Sequence, residues 1–145
     1  SWDVIFLLAG MIPLGIAMQE SGAAALVADS VVWFSQYTTP IILMGHIYLV
    51  TTLLTEIISN NAAVVLIVPV ALAVSGSLGI SAIALTLVIM FAASTSFLSP
   101  IGYQTNTMVY GAGNYKFFDF IKVGLPLNAI LLVVTITAIW FFFGI

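Results

Sequence analysis

The stretch TEIISNNAAV, residues 55–64, sets Thr55, Glu56, Ser59, Asn60 and Asn61 inside one of the most apolar parts of the sequence. In water such a cluster is an ordinary surface loop, so its reading turns on the solvent around it. Composition decides that. Of 145 residues, 63% are apolar and 5% charged, against roughly 45–50% and about 25% in soluble domains. The charges stand at Asp3, Glu20, Asp29, Glu56, Lys116, Asp119 and Lys122, leaving 4–19, 30–55, 57–115 and 123–145 uncharged. About 20 residues at 1.5 Å each cross a roughly 30 Å hydrocarbon core. Runs of this length are therefore membrane-embedded helices, and the fold class is all-α integral membrane.

The net charge of −3 is scattered and no basic cluster exists to neutralise a run of phosphates, so nucleic acid is excluded as a partner. Cysteine is absent, which removes disulfides, thiol chemistry and cysteine metal sites. The sequence opens at Ser1 without a basic n-region, and the expectation is a segment of a longer chain.

From Trp2 to Gln19 an apolar segment is long enough to span, bent by Gly10, Pro13 and Gly15. Residues 20–36 mix Glu20, Asp29, Ser35 and Gln36 with apolar residues and read as a helix lying in the interface. After Pro40 an apolar helix reaches Ile58, then the Ser-Asn-Asn knot, then a second arm from Ala62 to about Val74. That arm covers roughly 20 Å at helical rise, too short to span. Residues 41–74 are therefore expected to form a re-entrant helical hairpin with its apex at 59–61, followed by a loop at 75–81. A broken helix over 82–111, interrupted at 99–106 by Pro100 and Gly102, an interfacial turn at 113–122 rich in aromatics and a final span at 123–145 complete the chain. The positive-inside tendency puts Lys116 and Lys122 in the cytoplasm and the C-terminus outside a plasma (inner) membrane.

Two interruptions at membrane depth leave peptide groups that cost several kcal/mol each in hydrocarbon, so they must be buried in protein or face water. Secondary transporters use such pairs: half-helix N-termini meet an anionic substrate and unwound carbonyls hold the coupling cation. Ser59, Asn60 and Asn61 stand where the free N–H groups of the second arm emerge, and Thr105 or Asn106 is placed to cap the half-helix after the second break. Neither break contains Arg or Lys. A dianion there needs cations, which points to sodium held by carbonyls of the two loops.

Blander readings exist for each feature. Ser-Asn-Asn also suits a tight turn between two crossings, and the Ser-Pro-Ile-Gly break suits a proline kink, which would leave the four polar residues after it unexplained. Glu56 at this depth is a functional carboxyl by default or a hydrogen-bonded structural one, and His46, alone on an apolar face, reads as a packed helix-contact histidine. A channel or structural subunit, with the breaks lining a pore, is the alternative to a carrier. An intramembrane hydrolase on Ser59, Ser96 or Ser99 with His46 lacks an orienting motif for its base. No enzymatic activity is expected.

The ordered set WDVIFLLAGMIPLGIAMQESG, TEIISNNAAVVLIVPV, SPIGYQTNTMVYG and FDFIKVGLPLN resembles the C-terminal half of the divalent anion:sodium symporter family, the carriers of dicarboxylates, citrate and sulfate. The resemblance covers nearly the whole chain. It implies one inverted-repeat half of a secondary transporter, with Ser59, Asn60, Asn61, Thr105 and Asn106 lining the substrate site. It also implies a sodium site of mainly backbone oxygens near Thr55, Ile58, Asn60 and Gly102. Asn61 stands where Thr is usual and GYQTN replaces the more common xTPPN. Both departures resemble the branch with mid-chain RCK-type regulatory domains, often linked to sulfate. The partners implied are a small inorganic or dicarboxylate anion, membrane lipid, the remaining N-terminal half and a second copy of the complete transporter in a homodimer.

Overall fold

The computed structural model describes Trp2, Ile5, Phe6, Ala9, Pro13, Ala17 and residues 20–144. The expected first span over 2–19 therefore falls largely outside the described residues, as does Ile145. Among the described residues the chain is all helical: α1 (Ala23–Ser35), α2 (Pro40–Thr55), α3 (Asn60–Leu78), α4 (Ala82–Ala93), α5 (Gln104–Gly113) and α6 (Phe117–Phe143).

Local chemistry sets the boundaries. Pro40 opens α2 at a position whose N–H would be unpaired in any case. Ser59, in extended conformation, caps α3 by accepting the Ala62 N–H at 3.2 Å. At the far end of α3 the left-handed Gly79 returns its N–H to the Ser75 carbonyl. Lys116 opens α6 and donates its backbone N–H to Asp119 Oδ2 at 2.9 Å, inside the first turn where an acidic group also suits the helix dipole.

Several expected boundaries shift, each for a local reason. The second hairpin arm runs through the expected 75–81 loop to Leu78, because Ser75 turns its hydroxyl back to the Leu72 carbonyl and only Gly79 supplies the stop. At 19 residues α3 is about 28 Å long, so arm length no longer argues against a crossing. The helix expected to run from 82 to the break at 99 ends at Ala93, where Ser94 and Thr95 bond back to Met90 and Ala92 carbonyls. The break is thus 94–103 rather than 99–106. Of the expected interfacial turn only Asn114–Lys116 is non-helical, with Asn114 in the left-handed region, and the last helix starts at Phe117.

The core is a seam of aliphatic side chains, Leu43, Met44 and Ile47 from α2, Ala63 and Ile67 from α3, Leu85, Val88 and Ile89 from α4, and Ile136 and Ile139 from α6. Around it α4 packs on α2 and α3, α1 packs on α2 and α3, and α6 lies against α2 and α4. Outside the seam, Leu49, Leu53, Ile83, Met90, Phe91, Ile130 and Val133 are exposed. Such a quantity of bare aliphatic and aromatic surface is intolerable to water and ordinary against lipid or further protein. α6 has the length and composition to cross a membrane, with a mean hydropathy of 2.2.

Candidate functional site

α2 ends at Thr55 and α3 begins at Asn60, so the hairpin turns over Glu56–Ser59. The Ile57 and Ile58 N–H groups both fold back to the Leu54 carbonyl at 2.9 Å, which tightens the end of α2. Ile58 is buried under the turn, while Ser59 and Asn61 are exposed and Asn60 is half-buried. The Thr55 hydroxyl, fully buried, lies 2.5 Å from Asn60 Oδ1 and 3.1 Å from the Ala93 carbonyl. With one proton it donates to one of them at a time.

The break in α4–α5 lies against this turn. The two oxygens of Glu56 are divided between the Leu98 N–H at 2.9 Å and the Ser99 hydroxyl at 2.7 Å. Ser99 Oγ in turn accepts the N–H groups of Ile101 and Gly102, at 3.2 and 3.0 Å. Ser96 donates its hydroxyl to the Thr55 carbonyl at 3.2 Å. Donors that Pro100 and the lost helical turns leave without helical partners are therefore satisfied by side chains, the Leu98 N–H by Glu56 of the hairpin and the Ile101 and Gly102 N–H groups by Ser99 of the same loop. Gly102 is fixed by contact rather than by conformation. A Cβ there would fall 2.5 Å from Glu56 Oε2 and closer still to Ser96 Oγ.

Asn106, on the first turn of α5, closes the loop from the other side by donating its amide to the Ser96 and Ser99 carbonyls at 2.7 and 3.1 Å. Both amide hydrogens are thereby used, and Oδ1, an acceptor, is what remains. Asn60 is the reverse: its Oδ1 faces the Thr55 hydroxyl and its two N–H donors are left. The Asn106 orientation follows from its two carbonyl partners, which only the NH2 end can serve, whereas that of Asn60 holds when the single Thr55 proton goes to Oδ1 and not to the Ala93 carbonyl. The expected side-chain cap on α5 is absent: its N-cap is Tyr103, and Thr105 and Asn106 sit inside the first turn. Thr107 instead ties the helix start to the break, donating its hydroxyl to the Pro100 carbonyl at 2.7 Å and its N–H to the Tyr103 carbonyl.

The residues singled out in the sequence are thus distributed over one polar junction. Thr55, Asn60 and Gly102 are linked through Glu56, Ser96 and Ser99, while Ile58 lies buried in the same turn with its N–H on the Leu54 carbonyl. Thr105 is exposed and, like Asn61, makes no side-chain hydrogen bond among the described residues; Asn106 reaches the hairpin only through the 96–99 loop. Beneath the junction lies a row of hydroxyls that sequence reasoning missed. Tyr48 donates to Thr95 at 3.2 Å, and Thr52 lies 3.3 Å from the same oxygen. The legible signal was Tyr48, Thr52 and Thr55 at helical spacing on one face of α2. His46 stacks on Phe34, ring centroids 4.3 Å apart, and its buried Nε2 has no partner among the described residues.

Similarity to known proteins agrees with this architecture. The profile of the citrate transporter family matches residues 1–145. An uncharacterized transporter of Synechocystis sp., sll0640, is 51% identical over 144 residues, covering 99% of this chain and 24% of its own. The uncharacterized transporter YfbS of Escherichia coli K12 is 34% identical over 138 residues, 95% of this chain and 23% of its own. Sodium/sulfate cotransporter 1 of Chlamydomonas reinhardtii is 36% identical over 135 residues, 92% and 15%. The chain spans about a quarter or less of the length of these relatives. With the profile match over its full length, the chain is a membrane protein and belongs to the citrate transporter family.

Proposed function

We propose that the chain forms one inverted-repeat half of a secondary transporter that moves a divalent anion, sulfate before dicarboxylate, together with sodium by alternating access. The observation that carries the reading is the opposed presentation of the two junction amides. With the Thr55 proton on its Oδ1, Asn60 keeps donors free, which suit an anion; Asn106 keeps an acceptor free, which suits a cation. No lysine or arginine lies in either loop, so a dianion at the junction takes its counter-charge from bound cations. Sulfate is favoured because the sodium/sulfate cotransporters share 33–36% identity with this chain.

In this reading Ser59, Asn60, Asn61 and Thr105 contact the anion, with the first-turn N–H groups of α3 and α5 behind them. Asn106 holds the loop between anion and cation. Backbone oxygens near Thr55, Ile58, Asn60 and Gly102 hold sodium as the coupling ion. The hairpin is re-entrant, and what supports this is the level of its turn. α4 and α5, with 12 and 10 residues, extend about 18 and 15 Å on either side of the break to which the turn is bonded. If α4–α5 crosses, the turn stops near mid-depth. The complete transporter works as a homodimer in the plasma membrane, with Lys116 and Lys122 cytoplasmic and the C-terminus outside. It performs no reaction: Ser96 and Ser99 spend their hydroxyls on the Thr55 carbonyl and Glu56, and neither bonds His46.

The test is uptake of labelled sulfate against succinate by the complete transporter in liposomes, with and without a sodium gradient. Saturable sulfate uptake driven by sodium is the expected result. Non-saturating currents would replace the carrier by a channel, and succinate preference would replace the substrate.

A further inference from the structure

Away from the junction a cavity of about 320 Å³ opens between the break, α5 and the start of α6. Its wall is sorted by polarity. Tyr115 and Asp119 stand at the α6 start; Phe120, Val123 and Leu127 follow down the helix, and Phe97 backs the wall. Asp119 to Leu127 is two turns of α6, about 12 Å. One end is thus fitted to a membrane interface and the other to hydrocarbon.

The polar end carries the negative half of a zwitterion's complement, the Asp119 carboxyl, while Lys116 stands outside the lining. Asp119 spends Oδ2 on the Lys116 N–H and leaves Oδ1 without a partner among the described residues. Lys116, whose side chain is exposed, lies three residues before it at the same end of the helix. Tyr115 and Phe120 meet edge to face beside them, centroids 6.3 Å apart, and hold that end in shape. A transported dianion does not belong here, because most of the lining is apolar and its one acidic residue, Asp119, presents a carboxyl.

We infer that this cavity binds a phospholipid with a primary-ammonium headgroup, phosphatidylethanolamine. Its ammonium donates to Asp119, and one acyl chain runs along Phe120, Val123 and Leu127 to Phe97. A choline headgroup has no N–H to give Asp119, and a glycerol headgroup with net negative charge meets the carboxyl unfavourably. Because Phe97 and Asn106 also line the cavity, the lipid touches the back of the break without entering the ion path. The site stands or falls independently of what the junction transports.

The test reconstitutes the complete transporter in liposomes of equal phosphatidylethanolamine, phosphatidylcholine and phosphatidylglycerol, and reads the retained lipid by native mass spectrometry. Phosphatidylethanolamine should be retained over each of the others by about tenfold, the order that one charge-assisted hydrogen bond sets. Val123→Trp, which fills the cavity, should abolish retention. Asp119→Asn keeps an acceptor for the Lys116 N–H and should remove the headgroup preference while leaving lipid bound; its helix content by circular dichroism controls for folding. Equal retention of the three lipids, preference for phosphatidylglycerol, retention in folded Val123→Trp, or no retained lipid because another part of the transporter fills the cavity would each overturn the assignment.

Discussion

Gly102 is a residue whose replacement by the smallest side chain already tests the junction. Its missing Cβ is the space that Glu56 and Ser96 occupy. Gly102→Ala should lower stability by about 1–3 kcal/mol, the usual cost of an extra methyl in a tight contact, seen as an earlier thermal transition of the detergent-solubilised complete transporter. The two junction asparagines separate binding from structure. Asn60→Asp removes free donors and adds a negative charge where the anion is proposed to sit, so sulfate KM should rise more than about tenfold while the melting temperature holds. Asn106→Asp instead sets a carboxyl against the Ser96 and Ser99 carbonyls. It should cost about 1–3 kcal/mol in stability before uptake is considered. If both variants melt like the parent and transport equally, the amide assignment fails.

Among the elements, what was legible in the sequence followed from period and composition. The all-α class, the hairpin turn near Ser59 and the Pro100 interruption could be read because Pro, Gly and clustered polar residues act locally. The start of the break could not, since α4 stops at Ala93 through hydroxyl bonds and through Thr55, a residue 38 positions earlier in the chain. Nor could the end of α3, where helix continued through Ser75 and Gly76 because Gly79 gave a later stop. At the junction, which end of the Asn106 amide is taken could not be read, because that depends on the Ser96 and Ser99 carbonyls coming within reach across the break. The close packing of α6 on the break was equally hidden. At Gly124 a Cβ would lie well inside contact distance of the Phe97 carbonyl oxygen. Gly124→Leu should therefore separate α6 from the break and increase hydrogen exchange over residues 94–103, with little change in α1.

For the whole molecule, the decisive quantity is orientation. Single cysteines placed at Lys116 and at Gly144 of the complete transporter should label from opposite sides of the membrane, Lys116 from the cytoplasm, since α6 is about 40 Å long and no other described helix matches it. Labelling of both positions from one face would mean that α6 does not cross. The exposed apolar faces are surface for lipid or further protein, and the chain spans 24% of the length of its Synechocystis relative.

The contact between Gly124 and Phe97 also has a consequence for how the protein is made. The break leaves the ribosome before the helix that roofs it, and α6 is not complete until Phe143, 46 residues after Phe97. At about 5–20 residues per second this is a delay of roughly 2–10 s. For that interval the irregular peptide groups at 94–103 are screened by the hairpin on one side only. Nascent chains stalled before α6 should therefore stay beside the insertion machinery, and release into lipid should wait for the last helix.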